Sequence, residues 1–448
     1  MTAIASSSRN DPIQRREILF ASLTGLVLGL AVLKLGNPVI LNEQVARPGS
    51  FAEWLTASWP LEWGYALGLI VLVFSFRFWR GTTTVPRWLL ALPLAWLFWN
   101  FLASFATVDR HLTVVTLKHF VACAAWFYVG FFSLSRVRHP LPVWIGILLA
   151  LVLVLHAAMD QHFGGLAATR RAVAEMKPEE IPPELRRQLD TPEFRQKIAS
   201  DRVFGTFVYP NALAGAILLL LPLGLRTSWE VTRRFSPVVR LVLPGVLGVV
   251  ATACLIWSGS KAGWLVALGM LVVLLLHSGM GRRMKLALLA GLLVIGLTGF
   301  ALKYSAYFQR GATSATARFD YWRAAVTLIG EHPLLGSGPG TFQIGYKRLK
   351  TPESEMARLA HNDYLQQGAD AGIPGLLIYA LFVGAALTRL WRCGAREVGS
   401  LRFVIWLGAA GFAAQSFVEF GLYIPALAWV FFLFLGWSLG QNGPPREA

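Results

Sequence analysis

The sequence is short of cysteine, of acid and of charge altogether, and each shortage removes a class of protein. Only three cysteines occur in 448 residues. Cys123, Cys254 and Cys393 all fall in or beside apolar runs, so neither a disulfide framework nor a thiol metal site is legible. Charged residues make up 15% of the chain against 55% hydrophobic, which excludes an ordinary soluble domain. No small-residue cleavage site follows the first apolar run, so that run reads as a retained helix rather than a signal peptide. No internal repeat is visible, although transporters usually carry paired repeats with helices broken at matching positions. Acids are outnumbered 24 to 41 by lysine and arginine, for a net charge of +17. No recognition module accompanies that excess, which argues against nucleic acid as a partner.

What the chain has is long hydrophobic runs. Spanning a hydrocarbon core takes roughly 20 apolar residues as a helix, and about twelve such runs are present. They lie near 17–36, 62–80, 88–107, 112–135, 141–159, 210–227, 238–257, 262–278, 284–302, 373–391, 402–422 and 425–440. Each must be helical, because backbone amides find no water in lipid. The fold class is therefore an all-α polytopic membrane protein, with 1–448 as a single membrane domain. Basic residues gather in alternate short loops: Arg15 and Arg16, Arg77 to Arg87, Arg136 and Arg138, Arg233 to Arg240, Arg282 to Lys285, and Arg389 to Arg402. This is the positive-inside pattern, and it places both termini in the cytoplasm.

Two long loops, 160–209 and 303–372, then face outward, and loops of that length in a compact domain are usually functional. In the first, Asp190 or Thr191 before Pro192 and Glu193 reads as a helix cap, so a pair of short surface helices is expected. Its end, Arg202 to Asn211, places a guanidinium and irregular backbone where the chain returns to the membrane, which requires a protein-lined or wet cavity. A short outward turn then opens the eighth span with Ser260 and Lys261, a helix start able to hold an anion.

The second loop begins with an amphipathic stretch from Ala317 to Ile329, with Phe319, Trp322, Ala325, Val326 and Ile329 on one side and Arg318 near its start. Gly336 to Gly340 lacks a following Lys-Ser/Thr, so it reads as a tight turn rather than a nucleotide loop. Thr351-Pro-Glu reads as the cap of another helix, carrying Arg358, His361, Tyr364 and Leu365 on one face. A neighbouring cation there favours the neutral imidazole that a general base needs. Gly372 to Gly375 breaks that helix and starts the tenth span.

In order, RVFGTFVYPN before an apolar run, SGSKAGW, RFDYWRAA…PLLGSGPGTF and HNDYLQQGADAGIPG resemble the O-antigen ligase and polymerase superfamily, from about Asp201 to Gly375. The resemblance implies a GT-C-like membrane glycosyltransferase with a large helical periplasmic loop between helices 9 and 10. It implies no cofactor and no metal. The donor would be a glycan on undecaprenyl diphosphate at the periplasmic face of the bacterial inner membrane, and the acceptor a hydroxyl of lipid A-core, of a polysaccharide or of a protein. The resemblance puts the general base on His361 and the diphosphate ligands on Arg202 and Arg318. Lys261 stands where the family often has arginine, which keeps the charge but loses the bidentate fork. Arg358, Asn211, Asn362, Tyr364 and Glu419 are supporting candidates.

O-antigen ligase is the preferred activity, since the chain stops soon after the twelfth run. A polymerase or a protein O-oligosaccharyltransferase is the alternative. An ion-coupled transporter is the rival of another class, with Lys118, His119 and Glu419 as a relay of intramembrane ionisable residues. His156, Asp160 and His162 at the end of the fifth span read as interfacial polarity rather than a metal site.

Overall fold

The computed structural model describes residues 12–79, 81, 84–175, 200–309, 313–352, 354–393 and 397–441. Among these the structure is helical and contains no strand. The first half runs α1 (Pro12–Lys34), α2 (Phe51–Thr56), α3 (Leu61–Ser75), α4 (Arg87–Ala103), α5 (Arg110–Tyr128), α6 (Leu141–Asp160) and α7 (Leu166–Glu175). After the return segment come α8 (Pro210–Val231), α9 (Pro237–Trp257), α10 (Lys261–His277) and α11 (Arg282–Gln309). The second loop holds α12 (Thr313–Glu331) and α13 (Phe342–Leu349), and the chain continues with α14 (Asp363–Arg392), α15 (Leu401–Gln415) and α16 (Pro425–Gly440). Nine stretches among the described residues are long and apolar enough to cross a membrane, and α10, α15 and α16 are shorter apolar helices. Together they fall on the twelve apolar runs. The surface helices expected around Asp190 and Thr191 lie outside the described residues.

The centre of the bundle is α16. Every residue from Pro425 to Gly440 is buried, as expected for a helix that is apolar on all sides. Pro425 occupies its first position, where no N–H is needed, and the next amide, Ala426 N, donates to the Leu35 carbonyl at 3.1 Å. Around it the helices approach closely through small residues. A Cβ on Gly146 of α6 would sit 2.3 Å from the Gly25 carbonyl of α1, and one on Gly436 would sit 2.0 Å from the Phe127 carbonyl. Lipid gives membrane helices no hydrophobic drive to associate, so such backbone proximity is what holds them. α11 lies at the periphery and exposes Val294, Ile295 and Leu302.

The outer layer rests on the bundle. α12, α13 and the segment up to Ala360 pack around Tyr321, Ala325, Leu328, Phe342, Tyr346 and Ala360. The buried face of α12 is thus Tyr321, Ala324, Ala325 and Leu328, whereas Phe319 and Val326, expected inside, are 60% and 58% exposed. The face turned because α13 covers it, a partner no periodicity can reveal.

The helix expected from Thr351 does not form. The described residues between α13 and α14 are turns and bends, so Arg358, His361, Tyr364 and Leu365 do not share one helix face. Their backbone and side chains are claimed from elsewhere. Tyr346 Oη donates to the Glu355 carbonyl at 2.9 Å, and Ala360 N donates to Gln366 Oε1 at 2.7 Å.

α14 begins earlier than the tenth apolar run and is broken at Ala371 and Gly372, the latter at φ 71°. A Cβ there would lie 2.2 Å from the Leu334 carbonyl. The break frees carbonyls that a continuous helix would use. The turn from Gly336 to Gly340 takes them up: Ser337 N and Gly338 N donate to the Ala369 and Asp370 carbonyls at 3.0 and 2.9 Å. Gly338 adopts φ 103° and Gly340 φ 80°, backbone that favours glycine.

Candidate active site

The site is assembled where four segments meet beneath the outer layer. The return segment, 200–209, is irregular, and its amides need partners. Gln161 supplies them: its Oε1 accepts from Phe204 N and Gly205 N at 2.9 and 2.8 Å, and its Nε2 donates to the Gly205 carbonyl at 2.8 Å. This clasp holds Arg202 against the start of α10. Arg202 Nε donates to the Ser258 carbonyl at 2.7 Å and Nη2 to Asn211 Oδ1 at 2.8 Å. A Cβ on Gly259 would meet Arg202 Nε at 3.0 Å, so the glycine leaves room for the guanidinium. Burial lowers the Arg202 pKa, with Glu419 opposing the shift, and a guanidinium stays protonated nonetheless.

Glu419 ties the segments together. It lies beyond the end of α15, in the connection to α16, rather than within the eleventh span as the apolar run over 402–422 suggests. The helix stops at Gln415 because the following backbone finds other partners. The Ser416 carbonyl accepts from Asp363 N at 2.8 Å, and Leu422 N donates to Asp363 Oδ2 at 2.9 Å. Glu419 Oε1 accepts from Asn211 Nδ2 at 2.6 Å and is ion-paired with Arg318 Nη2. Arg318 Nε also donates to the Val418 carbonyl at 3.1 Å. Burial pushes the Glu419 carboxyl up, but the Arg318 guanidinium and the His361 ring outweigh it and hold the group below the usual carboxylate value.

His361 stands just before α14, which Asn362 caps by accepting from Tyr364 N and Leu365 N at 3.0 Å each. At φ 49° His361 is the non-glycine residue with positive φ among the described residues, a conformation that persists only where the surroundings impose it. Those surroundings are Tyr321, with ring centroids 5.6 Å apart, and Phe420, edge-on at 4.6 Å. Trp322 Nε1 lies 3.4 Å from the His361 carbonyl. Nδ1 is 3.3 Å from Glu419 Oε2. An ionised carboxylate only accepts, so Nδ1 carries a proton, and in the neutral ring Nε2 then keeps its lone pair.

These groups line a cavity of about 260 Å³, to which Arg202, Arg318, Arg358, His361, Glu419 and Tyr321 contribute. Burial raises the Tyr321 phenol to about 12, so it remains a donor at neutral pH. The connection between α1 and α2, through Ile40 and Leu41, supplies a wall that no sequence signal indicates.

Other sequence candidates lie elsewhere. Lys261 opens α10, with Ser260 capping it, but lines an adjoining pocket of about 410 Å³ that shares Arg202 and holds Lys303 and Trp257. Its ammonium sits 5.2 Å from the Tyr304 ring. Tyr364 Oη donates to the Ala413 carbonyl at 3.2 Å, and its ring packs on Phe417, so it braces α14. Lys118 is exposed on the bundle surface while His119 is fully buried, and neither lines the cavity that holds Glu419. His162 stacks on Trp257 at 3.8 Å.

Residues 246–380 match the family model described as O-antigen ligase. An uncharacterized protein of Haemophilus influenzae is 27% identical over an aligned stretch that covers 28% of this chain and 37% of that protein. The chain therefore matches well under two thirds of that relative's length. The matched family region contains Lys261, Arg318, His361 and the break in α14, whereas Arg202 and Glu419 reach the cavity from either side of it. Over residues 246–380 this chain is similar to the O-antigen ligase family, whose members are membrane glycosyltransferase-like enzymes.

Proposed function

We propose that the protein transfers a glycan from undecaprenyl diphosphate to an acceptor hydroxyl at the outer face of the inner membrane, as an O-antigen ligase acting on lipid A-core. The observation that carries this reading is the contact between His361 Nδ1 and Glu419 Oε2, made by a carboxylate that also holds Arg318 and, through Asn211, Arg202. One carboxylate thereby joins a base to the cations.

His361 Nε2 takes the proton of the acceptor hydroxyl as its oxygen bonds to the anomeric carbon. The bond from that carbon to the diphosphate oxygen breaks, and the lipid diphosphate leaves with the electron pair. Attack opposite the leaving group inverts the carbon. Arg202 and Arg318 meet the charge that develops on the leaving diphosphate, the kind of electrostatic stabilisation that supplies much of enzymatic rate. Glu419 stabilises the imidazolium as it forms. Lys261, in the pocket on the far side of Arg202, supplies a further positive charge to the leaving group.

The test is transfer from a purified lipid-linked glycan to lipid A-core by the full chain in proteoliposomes. His361→Ala should lower the rate by about 10²–10⁴-fold, the usual worth of a general base, with insertion and thermal stability retained. Undiminished transfer by that variant would remove the mechanism.

A further inference from the structure

On the membrane face opposite the catalytic cavity, α8, α9, α10 and the start of α15 enclose a groove of about 920 Å³. It lies at the upper end of ordinary ligand pockets, about 300–1,000 Å³, and its walls are almost entirely apolar. Leu241 and Leu271 line it and are 69% and 46% exposed, so it opens sideways to the bilayer. Walls left bare would forfeit their dispersion contacts, so hydrocarbon enters.

The rim selects which lipid supplies it. Arg226, Arg233 and Arg240 stand there with Glu230 alone to balance them. Arg226 and Arg233 share that carboxylate at 2.8 and 3.4 Å. Arg240 lies 4.1 Å over the Trp229 ring, and its buried Nε–H has no acceptor among the described residues. Arg226 and Glu230 lie roughly 24 and 30 Å along α8 from Pro210, given 1.5 Å per residue, and Arg233 and Arg240 follow beyond its end, which puts the rim at the depth of headgroups in the leaflet away from the active site. Basic clefts between membrane helices at that level suit anionic headgroups.

We propose that the groove is a binding site for one anionic phospholipid, its phosphodiester received by Arg233 and Arg240 and its acyl chains lying along α8 and α10. A zwitterionic lipid brings its own cation to a rim already in excess of positive charge and is disfavoured. The proposal is independent of the glycan-transfer reading.

Native mass spectrometry of the full chain, reconstituted in bilayers of equal parts phosphatidylglycerol and phosphatidylcholine with matched acyl chains, reads the preference directly. The wild type should retain one phosphatidylglycerol in preference to phosphatidylcholine. Each arginine near a membrane surface is worth about five-fold in such binding, so Arg233→Ala with Arg240→Ala should lower retention by roughly twenty-fold. Leu271→Trp, which fills the groove from an exposed position, should lower retention of both lipids. All variants should keep the wild-type unfolding temperature. Equal retention of the two lipids by the wild type, or unchanged preference in the double arginine variant, would overturn the proposal. So would a polyprenyl diphosphate, added to the same bilayers, displacing the phosphatidylglycerol.

Discussion

Two histidines touch the connection between α15 and α16, and they have opposite fates. His119 is fully buried in α5; its Nε2 lies 2.8 Å from the Leu422 carbonyl, and the Trp429 indole donates to its Nδ1 at 3.3 Å. Both nitrogens are used, so the ring is a bracket between helices. His361 is a quarter exposed, held in left-handed backbone, and has Nδ1 committed to Glu419 while Nε2 has no hydrogen-bond partner among the described residues. Residue type and neighbouring segment are shared. What separates the proposed base from the structural bracket is whether the second nitrogen is left over at a cavity.

That contrast can be broken from the carboxylate first. Glu419→Gln can present its amide N–H to Nδ1 and so favour the wrong tautomer. Transfer should then fall on the order of 10²-fold or more, measured with initial rates in proteoliposomes, while the same variant of a bracket residue would leave rate per folded molecule intact. Arg318→Lys keeps the charge but loses the fork. The loss of a charge-assisted bond of about 1.5–3 kcal/mol should lower kcat/KM by roughly 10–150-fold. His119→Ala should show the reverse pattern. The Leu422 carbonyl and Trp429 indole are left unpaired at about 1–3 kcal/mol each, which thermal unfolding would register, with transfer per folded protein near wild type.

The smallest effect is in acid. Because the Glu419 carboxyl is held below its ordinary value of 4.5 in the fold, the stability its pairs contribute is fully present above that value. It is lost as pH falls through the lower folded pKa. The unfolding temperature of the wild type should therefore drop more steeply than that of Glu419→Gln as the pH falls below about 4.5.

The sequence carries much of this and hides the rest for physical reasons. Twelve apolar runs suffice for the bundle because lipid permits only helices there. His361, Arg202 and Arg318 are legible through motif order, and Glu419 through the oddity of an acid in an apolar run. The shape of the second loop is not legible. Thr351-Pro-Glu has the chemistry of a cap, yet the residues after it bond to Tyr346 and Gln366, and such tertiary partners outbid a local signal worth about 1 kcal/mol. The face of α12 and the wall at Ile40 and Leu41 likewise depend on contacts between segments far apart in the chain.

The enclosed position of α16 bears on how the molecule is made. Its neighbours α1, α5 and α15 all leave the ribosome before it. At about 5–20 residues per second, the gap between α1 and α16 lasts on the order of tens of seconds. Throughout that interval the earlier helices lie in the bilayer around a space they cannot close, and Leu35 waits for the amide of Ala426. Final packing, and with it the placing of Glu419 against His361, is therefore the last event of assembly, so the candidate site comes into being only when the bundle is whole.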